Sequence, residues 1–227
     1  MNSKNLAKNR SGFLALCISD VHAKIGFLSA FKNYLISEKP DLILFTGDIV
    51  NGGHEVDYLE KFDQIISDSG IPLFWVPGNN DVGQVYKLMS RKKFSVEGKA
   101  VDFGSEKIVG MNGVPDLWGH GISYPQILAT ELADSIFLSH IPAKNFKNFR
   151  KFDHNEIDEN VILKNAPKIQ ISGHQHSYWG VGFVGKTKLL KLPAGLNLMA
   201  ATLDTKTLKV EFIDLSNYNK LGKVILR

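Results

Sequence analysis

The sequence predicts an α/β fold with two β-sheets in one domain, and three features of the chain support this prediction. Short apolar runs of strand length alternate with segments of helical spacing in the first third of the chain. Further along, short apolar pieces are separated by glycines, which is typical of additional strands. Hydrophobic residues make up 44% and charged residues 22% of the 227 residues, a balance that allows a sizeable core. We expect residues 13–227 to form a single domain after a flexible N-terminus, residues 1–12.

Five segments near the start of the chain alternate between strand and helix character. In order, they are Phe13–Ser19, Ile25–Ser37, Leu42–Thr46, Val56–Asp68 and Leu73–Val76. The first, third and fifth are rich in Ile, Leu, Val and Phe and are too short for helices. The second and fourth repeat their apolar residues at helical spacing and end before Lys39-Pro40 and Gly70. This β-α-β-α-β order predicts parallel first strands covered by helices.

The pattern changes in the second half of the chain, from Val96 onward. Two short apolar runs, Ile136–Leu138 and Ile169–Ile171, predict buried strands. Shorter pieces follow at Tyr178–Val184, Leu189–Leu192, Leu198–Leu203, Leu208–Ile213 and Val224–Leu226. Because glycines and turn residues separate such pieces, we expect the second half to be antiparallel.

Charge and cysteine content limit the classes of function. The 27 Lys and Arg against 23 Asp and Glu give a net charge of +4, and the densest basic run, Arg91-Lys92-Lys93, is typical of a solvated helix face. The single Cys17 excludes a disulfide framework and a cysteine-based zinc or iron–sulfur site. No apolar stretch approaches the about 20 residues that span a bilayer. Met1–Arg10 also lacks the apolar region of a signal peptide. We therefore expect a cytoplasmic protein without a membrane partner, and the sequence does not indicate its oligomeric state.

Polar residues that commonly bind metals follow each of five predicted strands. These residues are Asp20-Val21-His22, Gly47-Asp48, Gly78-Asn79-Asn80-Asp81, Ser139-His140 and Gly173-His174-Gln175-His176. Each group alone has a structural explanation as a helix cap, a turn or a partly buried histidine. Sites in α/β sheets form outside the carboxyl ends of strands, so five such loops should converge on one crevice. The repetition favours a metal site over five independent structural roles.

This ordered set resembles the signature of the calcineurin-like metallophosphoesterases. The family pattern is Asp-x-His, Gly-Asp, Gly-Asn-His-Asp/Glu, a lone His and Gly-His-x-His, and the match here spans residues 20–176. Leu192-Pro193-Ala194-Gly195 is similar to a later turn of the family. The resemblance implies a four-layer sandwich of two mixed β-sheets flanked by α-helices. It also implies a hydrolase that acts on small-molecule phosphate esters.

Carried over by motif, the resemblance implies two divalent metal ions. One ion would be bound by Asp20, His22 and His176, the other by Asn79, His140 and His174, and Asp48 would bridge them. Nitrogen and oxygen ligands without thiolate point to Mn, with Fe, Zn or Ni as alternatives. Two such ions and two ionised Asp ligands leave a charge of about +2, which attracts a phosphate ester and lowers the pKa of a bridging water toward about 7. The implied nucleophile is the resulting metal-bridging hydroxide.

One residue departs from the family pattern. Asn80 stands where much of the family has a His that protonates the leaving group. An amide supplies no proton at neutral pH but donates hydrogen bonds to a phosphate oxygen, so we assign Asn80 a catalytic role beside Asp48. Small family members with Cys at this point are phosphodiesterases, so we expect a preference for phosphodiesters. His54 and His120 are alternative proton donors, although each is more typical of an ordinary loop histidine.

Two further residue patterns have structural explanations. Asp81 is expected to cap a helix that begins near Gln84 rather than to bind metal. Gly180–Thr187 fits the phosphate-binding P-loop pattern letter for letter. A P-loop requires a strand before it and a helix after it, and neither is predicted here. We therefore predict a β-hairpin at Gly180–Thr187.

Two other functions remain open at this point. The first is a scaffold or regulatory module that keeps the fold and the metals without turnover. The second is a nuclease, although the chain lacks a basic track interleaved with aromatic residues. Retention of all seven predicted ligand positions favours the enzyme.

Overall fold

The computed structural model describes residues 12–111, 132–143, 157, 159–217 and 220–221. Its strands are β1 (Leu14–Ile18), β2 (Leu42–Phe45), β3 (Leu73–Trp75), β4 (Ala100–Phe103), β5 (Glu106–Met111), β6 (Ile136–Ser139), β7 (Ile169–Ser172), β8 (Gly180–Val184), β9 (Thr187–Lys191), β10 (Met199–Asp204), β11 (Val210–Asp214) and β12 (Lys220–Leu221). Its helices are α1 (Ile25–Glu38), α2 (Val56–Ser69), α3 (Gly83–Ser90) and α4 (Glu159–Asn165), with a short 3₁₀ turn at Gly195–Asn197.

The strands form two six-stranded mixed sheets. The first has the order β12-β11-β10-β1-β2-β3, in which β1, β2 and β3 are parallel and the other pairs are antiparallel. The second has the order β4-β5-β6-β7-β9-β8. The predicted β-α-β-α-β unit is confirmed, and α1 and α2 end within one residue of their expected ends.

The expectation of an antiparallel second half is wrong for the centre of the second sheet. There, β5, β6, β7 and β9 are all parallel, and only the outer pairs β4–β5 and β8–β9 are antiparallel. Every residue of β6 and β7 is buried, which is typical of a parallel strand covered on both faces. The uninterrupted apolar runs were therefore a better guide than the glycines between them.

Three hydrophobic clusters define four layers. One lies between α1–α3 and the outer face of the first sheet, where Phe27, Phe31 and Phe62 stack. A second lies between the two sheets and includes Cys17 of β1 and Ile171 of β7. The third lies between the second sheet and α4. The predicted helix–sheet–sheet–helix sandwich is thus confirmed.

The P-loop-like segment forms a hairpin, as predicted. Strands β8 and β9 pair from Gly180–Lys191 to Val184–Thr187 and leave Gly185-Lys186 as a two-residue loop. Gly185 has a φ of 57°, which suits glycine in a tight hairpin turn. No helix follows this glycine loop, so its main-chain amides do not form a phosphate cradle.

Some predictions fall outside the described residues, namely those for residues 1–11, for His120 and for the strand Val224–Leu226. None of the helices in the described part of the chain has both the length and the hydrophobicity needed to cross a bilayer.

Candidate metal centre

The loops after β1, β2, β3, β6 and β7 meet at one edge of the sandwich. Hydrogen bonds join them directly: Asp20 N–H donates to Gly47 O at 2.9 Å, and Gly173 N–H donates to His140 O at 2.9 Å. Gly173 has to be glycine, because a Cβ at this position would overlap Ser19 Oγ and the Asp20 carboxylate. The carboxyl ends of strands from both sheets therefore converge, as the sequence predicted.

Four of the predicted ligands have left-handed backbones. The φ angles are 53° for Asp20, 49° for His22, 58° for Asp48 and 78° for His174. Residues other than glycine rarely adopt this conformation, and each instance costs about 1–3 kcal/mol. Such strain is concentrated where a chain has to aim a side chain, and here it turns four predicted ligands toward one another.

The first group of donor atoms comprises Asp20, His22 and His176. His176 Nε2 lies 3.3 Å from Asp20 Oδ1 and 3.1 Å from His22 Nε2. The three side chains are close enough to share one metal ion. The Asp20 side chain is 1% exposed, His22 is 14% exposed and His176 is 38% exposed, so this group opens to solvent on the His176 side.

The second group comprises Asn79, His140 and His174. Asn79 Oδ1 lies 3.0 Å from both His140 Nε2 and His174 Nδ1, and these two nitrogens are 3.3 Å apart. His140 Nδ1 lies 2.7 Å from Thr46 O. If Nδ1–H donates to this carbonyl, the lone pair of Nε2 is available to bind a metal. This hydrogen bond links a ligand on the second sheet to the main chain of the first.

Asp48 lies between the two groups. Its Oδ2 is 3.6 Å from His22 Nε2 and 3.4 Å from His140 Nε2. The same Asp48 and His140 also lie close enough to Asp20 to form a three-residue cation site. All seven predicted ligands are thus together, and their nitrogen and oxygen atoms suit Mn, Fe, Zn or Ni.

Burial and charge determine the protonation of this centre. Burial raises the pKa of Asp48, but the adjacent His140 outweighs it and leaves the pKa below its usual value. Burial likewise raises the pKa of Asp20, and hydrogen bonding to His176 with the charges of His140 and Lys191 brings it well below the usual range. For His140, burial lowers the pKa, but the charge and hydrogen bond of Asp48 raise it to about 9. Without metal, the buried carboxylates of Asp20 and Asp48 thus favour the protonated form of His140. A divalent cation would replace this proton.

Comparison with known proteins shows the family of the chain. Residues 13–178 match the family model of the calcineurin-like phosphoesterases. The chain belongs to this family. It is therefore a metal-dependent phosphoesterase of the family's two-sheet fold.

Solved structures share the fold of this phosphoesterase at low sequence identity. The protein TT1561 of Thermus thermophilus gives a TM-score of 0.69 at 16% identity and covers 90% of this chain and 99% of its own. A dimetal phosphatase from Danio rerio gives 0.60 at 14% identity, over 92% of this chain and 100% of the other. An archaeal phosphodiesterase gives a TM-score of 0.55 at 13% identity, over 88% of this chain and 98% of the other. No curated protein matches the sequence.

Asn80 contacts Asp48 through both its main chain and its side chain. Its backbone N–H donates to Asp48 Oδ1 at 2.8 Å, and Nδ2 donates to Asp48 Oδ2 at 2.7 Å. In this phosphoesterase, the residue at the position of the family's His therefore holds the carboxylate that lies between the two groups.

Asp81 does not cap a helix, contrary to the sequence-based expectation. Helix α3 has Val82 as its N-cap residue, without a side-chain cap. The Asp81 carboxylate instead accepts hydrogen bonds from the backbone N–H groups of Asp48 at 2.7 Å, Ile49 at 2.8 Å and Gly78 at 2.9 Å. The chain turns between Asp81 and α3, so the carboxylate faces back into the site. Burial and the charge of Asp48 raise the pKa of Asp81 to about 7.

Sequence analysis missed Asn51. Its Oδ1 lies 2.9 Å from His22 Nδ1, and its Nδ2 donates to His22 O at 2.9 Å. As the acceptor for Nδ1–H, Asn51 leaves His22 Nε2 available as a ligand atom. The available signal was a polar side chain directly after the apolar pair Ile49-Val50.

Of the two alternative proton donors, only His54 lies in the described residues. It is exposed, and its backbone N–H donates to Glu55 Oε2 at 3.2 Å. No hydrogen bond in the described residues joins His54 to the seven predicted ligands.

Proposed function

We propose that this phosphoesterase is a dinuclear metal-dependent hydrolase that prefers phosphodiesters and uses a metal-bridging hydroxide as nucleophile. The observation that carries the proposal is the position of Asp48 Oδ2, 3.6 Å from a nitrogen of one donor group and 3.4 Å from a nitrogen of the other. A carboxylate shared between two such groups is the feature that pairs two cations at a short distance.

The donor set supports an anionic substrate. Asp20 and Asp48 contribute two negative charges, and the neutral His and Asn ligands contribute none. Two divalent ions bound there would keep a net charge of about +2, neutralise charge on a phosphoryl group and supply hydroxide near neutral pH. We propose Mn as the metal, with Fe, Zn and Ni as alternatives, and a small-molecule phosphate ester as the substrate.

Asn80 supports the preference for diesters. Its amide donates to Asp48 and carries no proton that could be transferred to a leaving oxygen. A phosphomonoester dianion, with its higher charge and no general acid to assist departure, should react more slowly than a diester. In our proposal the Asn80 amide orients Asp48, and its second N–H donates to a phosphate oxygen of the substrate.

The test is a comparison of an aryl phosphodiester with the matching aryl phosphomonoester. The purified chain is prepared without chelator, its metals are measured, and both substrates are assayed with added Mn²⁺. We expect the diester to react faster and Asp48→Asn to lose at least about 100-fold in kcat/KM. Asp57→Asn, an exposed aspartate on α2, is the matched control.

Each other outcome has a defined meaning. Absence of turnover with Mn, Fe, Zn and Ni would favour a scaffold that binds metal without catalysis. Faster hydrolysis of the monoester would overturn the diester preference. Salt-sensitive binding and cleavage of oligonucleotides would favour a nuclease.

A further inference from the structure

Lys191 is a fully buried lysine that the proposed chemistry does not use. It is the last residue of β9 and is 0% exposed. It pairs with Ser172 of β7 on one side and with Gly180 of β8 on the other. Lysine is almost never fully buried unless its charge is compensated, because an ammonium group loses its hydration on burial. Its position in the second sheet therefore requires a compensating partner.

The partner is the main chain of a ligand loop. Lys191 Nζ donates to Gln175 O at 2.7 Å, with a longer contact to Leu192 O at 3.5 Å. Gln175 is the residue between His174 and His176, so its carbonyl lies at the centre of the loop that contributes one histidine to each donor group. A hydrogen bond from an ammonium group is stronger than one from a neutral donor. It fixes this carbonyl to β9.

The charge of Lys191 also acts on Asp20. Burial lowers the pKa of Lys191 to about 8, against the opposing effect of the Asp20 carboxylate. In the other direction, Lys191 is among the groups that keep the pKa of Asp20 low.

We propose that Lys191 is a positioning residue of the metal centre, which fixes the Gly173–His176 loop through its hydrogen bond to Gln175 O. This inference rests on the proposed dinuclear function. The loop held through Gln175 O carries His174 of one donor group and His176 of the other, so loss of Lys191 should weaken metal binding at both groups. Partners behind metal ligands typically affect metal affinity by about 10–100-fold.

The test measures metal binding rather than activity. Metal-free wild type, Lys191→Met and the control Lys188→Met are titrated with Mn²⁺ by calorimetry, well below the unfolding temperature of each. Lys188 lies on the same strand and also donates to a carbonyl, Leu208 O, and its ammonium group lies 6.0 Å from the ring centre of Phe183. We expect Lys191→Met to bind the weaker of its two ions about 10–100-fold less tightly, and Lys188→Met to match the wild type.

A second readout is the visible absorption of the Co²⁺-loaded proteins, which reports ligand geometry directly. We expect the bands to shift in Lys191→Met and to stay in place in Lys188→Met. Equal affinities and equal spectra for Lys191→Met and wild type would overturn the inference, and so would a change confined to the melting temperature. Should Lys191→Met not fold, Lys191→Leu, which likewise cannot donate to Gln175 O, takes its place, and wild-type affinity in that variant would also overturn the inference. Wild type that binds fewer than two ions would instead contradict the proposed function.

Discussion

The Asp81 carboxylate accepts a hydrogen bond from the backbone N–H of Asp48 at 2.7 Å, across 33 residues of chain. The same carboxylate accepts a second hydrogen bond, from Gly78 N–H at 2.9 Å. One buried side chain therefore sets the distance between the loop that carries Asp48 and the loop that carries Asn79 and Asn80.

Removing this carboxylate should destabilise the fold. In Asp81→Ala, the N–H groups of Asp48, Ile49 and Gly78 lose a buried acceptor, and relief of the charge repulsion with Asp48 offsets part of the loss, so we expect the free energy of unfolding to fall by about 1–3 kcal/mol. Urea unfolding of the metal-free protein measures this. Glu60→Ala, on the exposed face of α2, should change it by less than about 0.5 kcal/mol. A loss below about 1 kcal/mol in Asp81→Ala would show that water replaces the carboxylate.

Asn51 should control the affinity for metal through His22. In Asn51→Leu, nothing replaces the acceptor for His22 Nδ1–H, so Nε2 is no longer held as the unprotonated nitrogen. Because Asn51 is exposed, we expect a loss at the lower end of the usual range, about 10-fold in Mn²⁺ affinity. Asn51→Asp keeps the acceptor for Nδ1–H but loses the donation to His22 O, so it should weaken binding less than Asn51→Leu does. Mn²⁺ titration of both variants tests the prediction, and equal weakening in both would refute it.

Metal binding should release protons and strengthen as pH rises. Without metal, the charge of Asp48 raises the pKa of buried His140 to about 9, and His140 has to lose its proton to bind a cation. Apparent Mn²⁺ affinity should therefore increase with pH and level off near pH 9. Calorimetry at pH 7 in two buffers of different ionisation enthalpy counts the protons released. A buffer-independent heat would contradict the prediction.

The same His140 should give the metal-free fold a defined pH dependence. Its folded-state pKa is raised above the ordinary value of 6.5, so its contribution to stability is complete below about pH 6.5 and is lost as pH rises through about 9. Thermal unfolding of the metal-free protein between pH 6 and pH 9.5 measures this loss. His140→Gln should remove this part of the pH dependence.

Leaving-group chemistry should depend on Asn80. Wild type has no general acid at this position, so kcat/KM should fall steeply as the pKa of the leaving alcohol rises. Asn80→His introduces a proton donor but removes the Nδ2 hydrogen bond to Asp48, so alkyl esters should gain about 10²-fold or more relative to acidic aryl esters. A series of diesters with graded leaving groups gives the slope for each protein. Parallel slopes would show that another group donates the proton.

The position of the ligands could be predicted from the sequence, because short apolar runs and the residues that follow them are local features. His22 and His176 are separated by 154 residues, yet each directly follows a strand whose carboxyl end lies at the same edge. The partners behind the ligands could not be predicted in this way. Asn51 reaches His22, and Lys191 reaches Gln175 O, only through the path of the folded chain.

Strand direction and local turns also limited the prediction. The apolar runs of β6 and β7 suit parallel strands covered on both faces, but the sequence does not show that the chain between them crosses over through α4. The role of Asp81 depended on whether the chain continued directly into α3. A left-handed Gly83, with a φ of 60°, begins that helix and leaves Asp81 outside it.

Each donor group draws on both layers of strands: Asp20 and His22 follow β1, and His176 follows β7, while Asn79 follows β3, and His140 and His174 follow β6 and β7. Metal ions bound by these groups would link one sheet to the other at a single edge. Removal of the metals by a chelator should then speed hydrogen exchange of amides between the two sheets, also at a distance from the metal site. The metal ions would thus stabilise the fold as well as take part in catalysis.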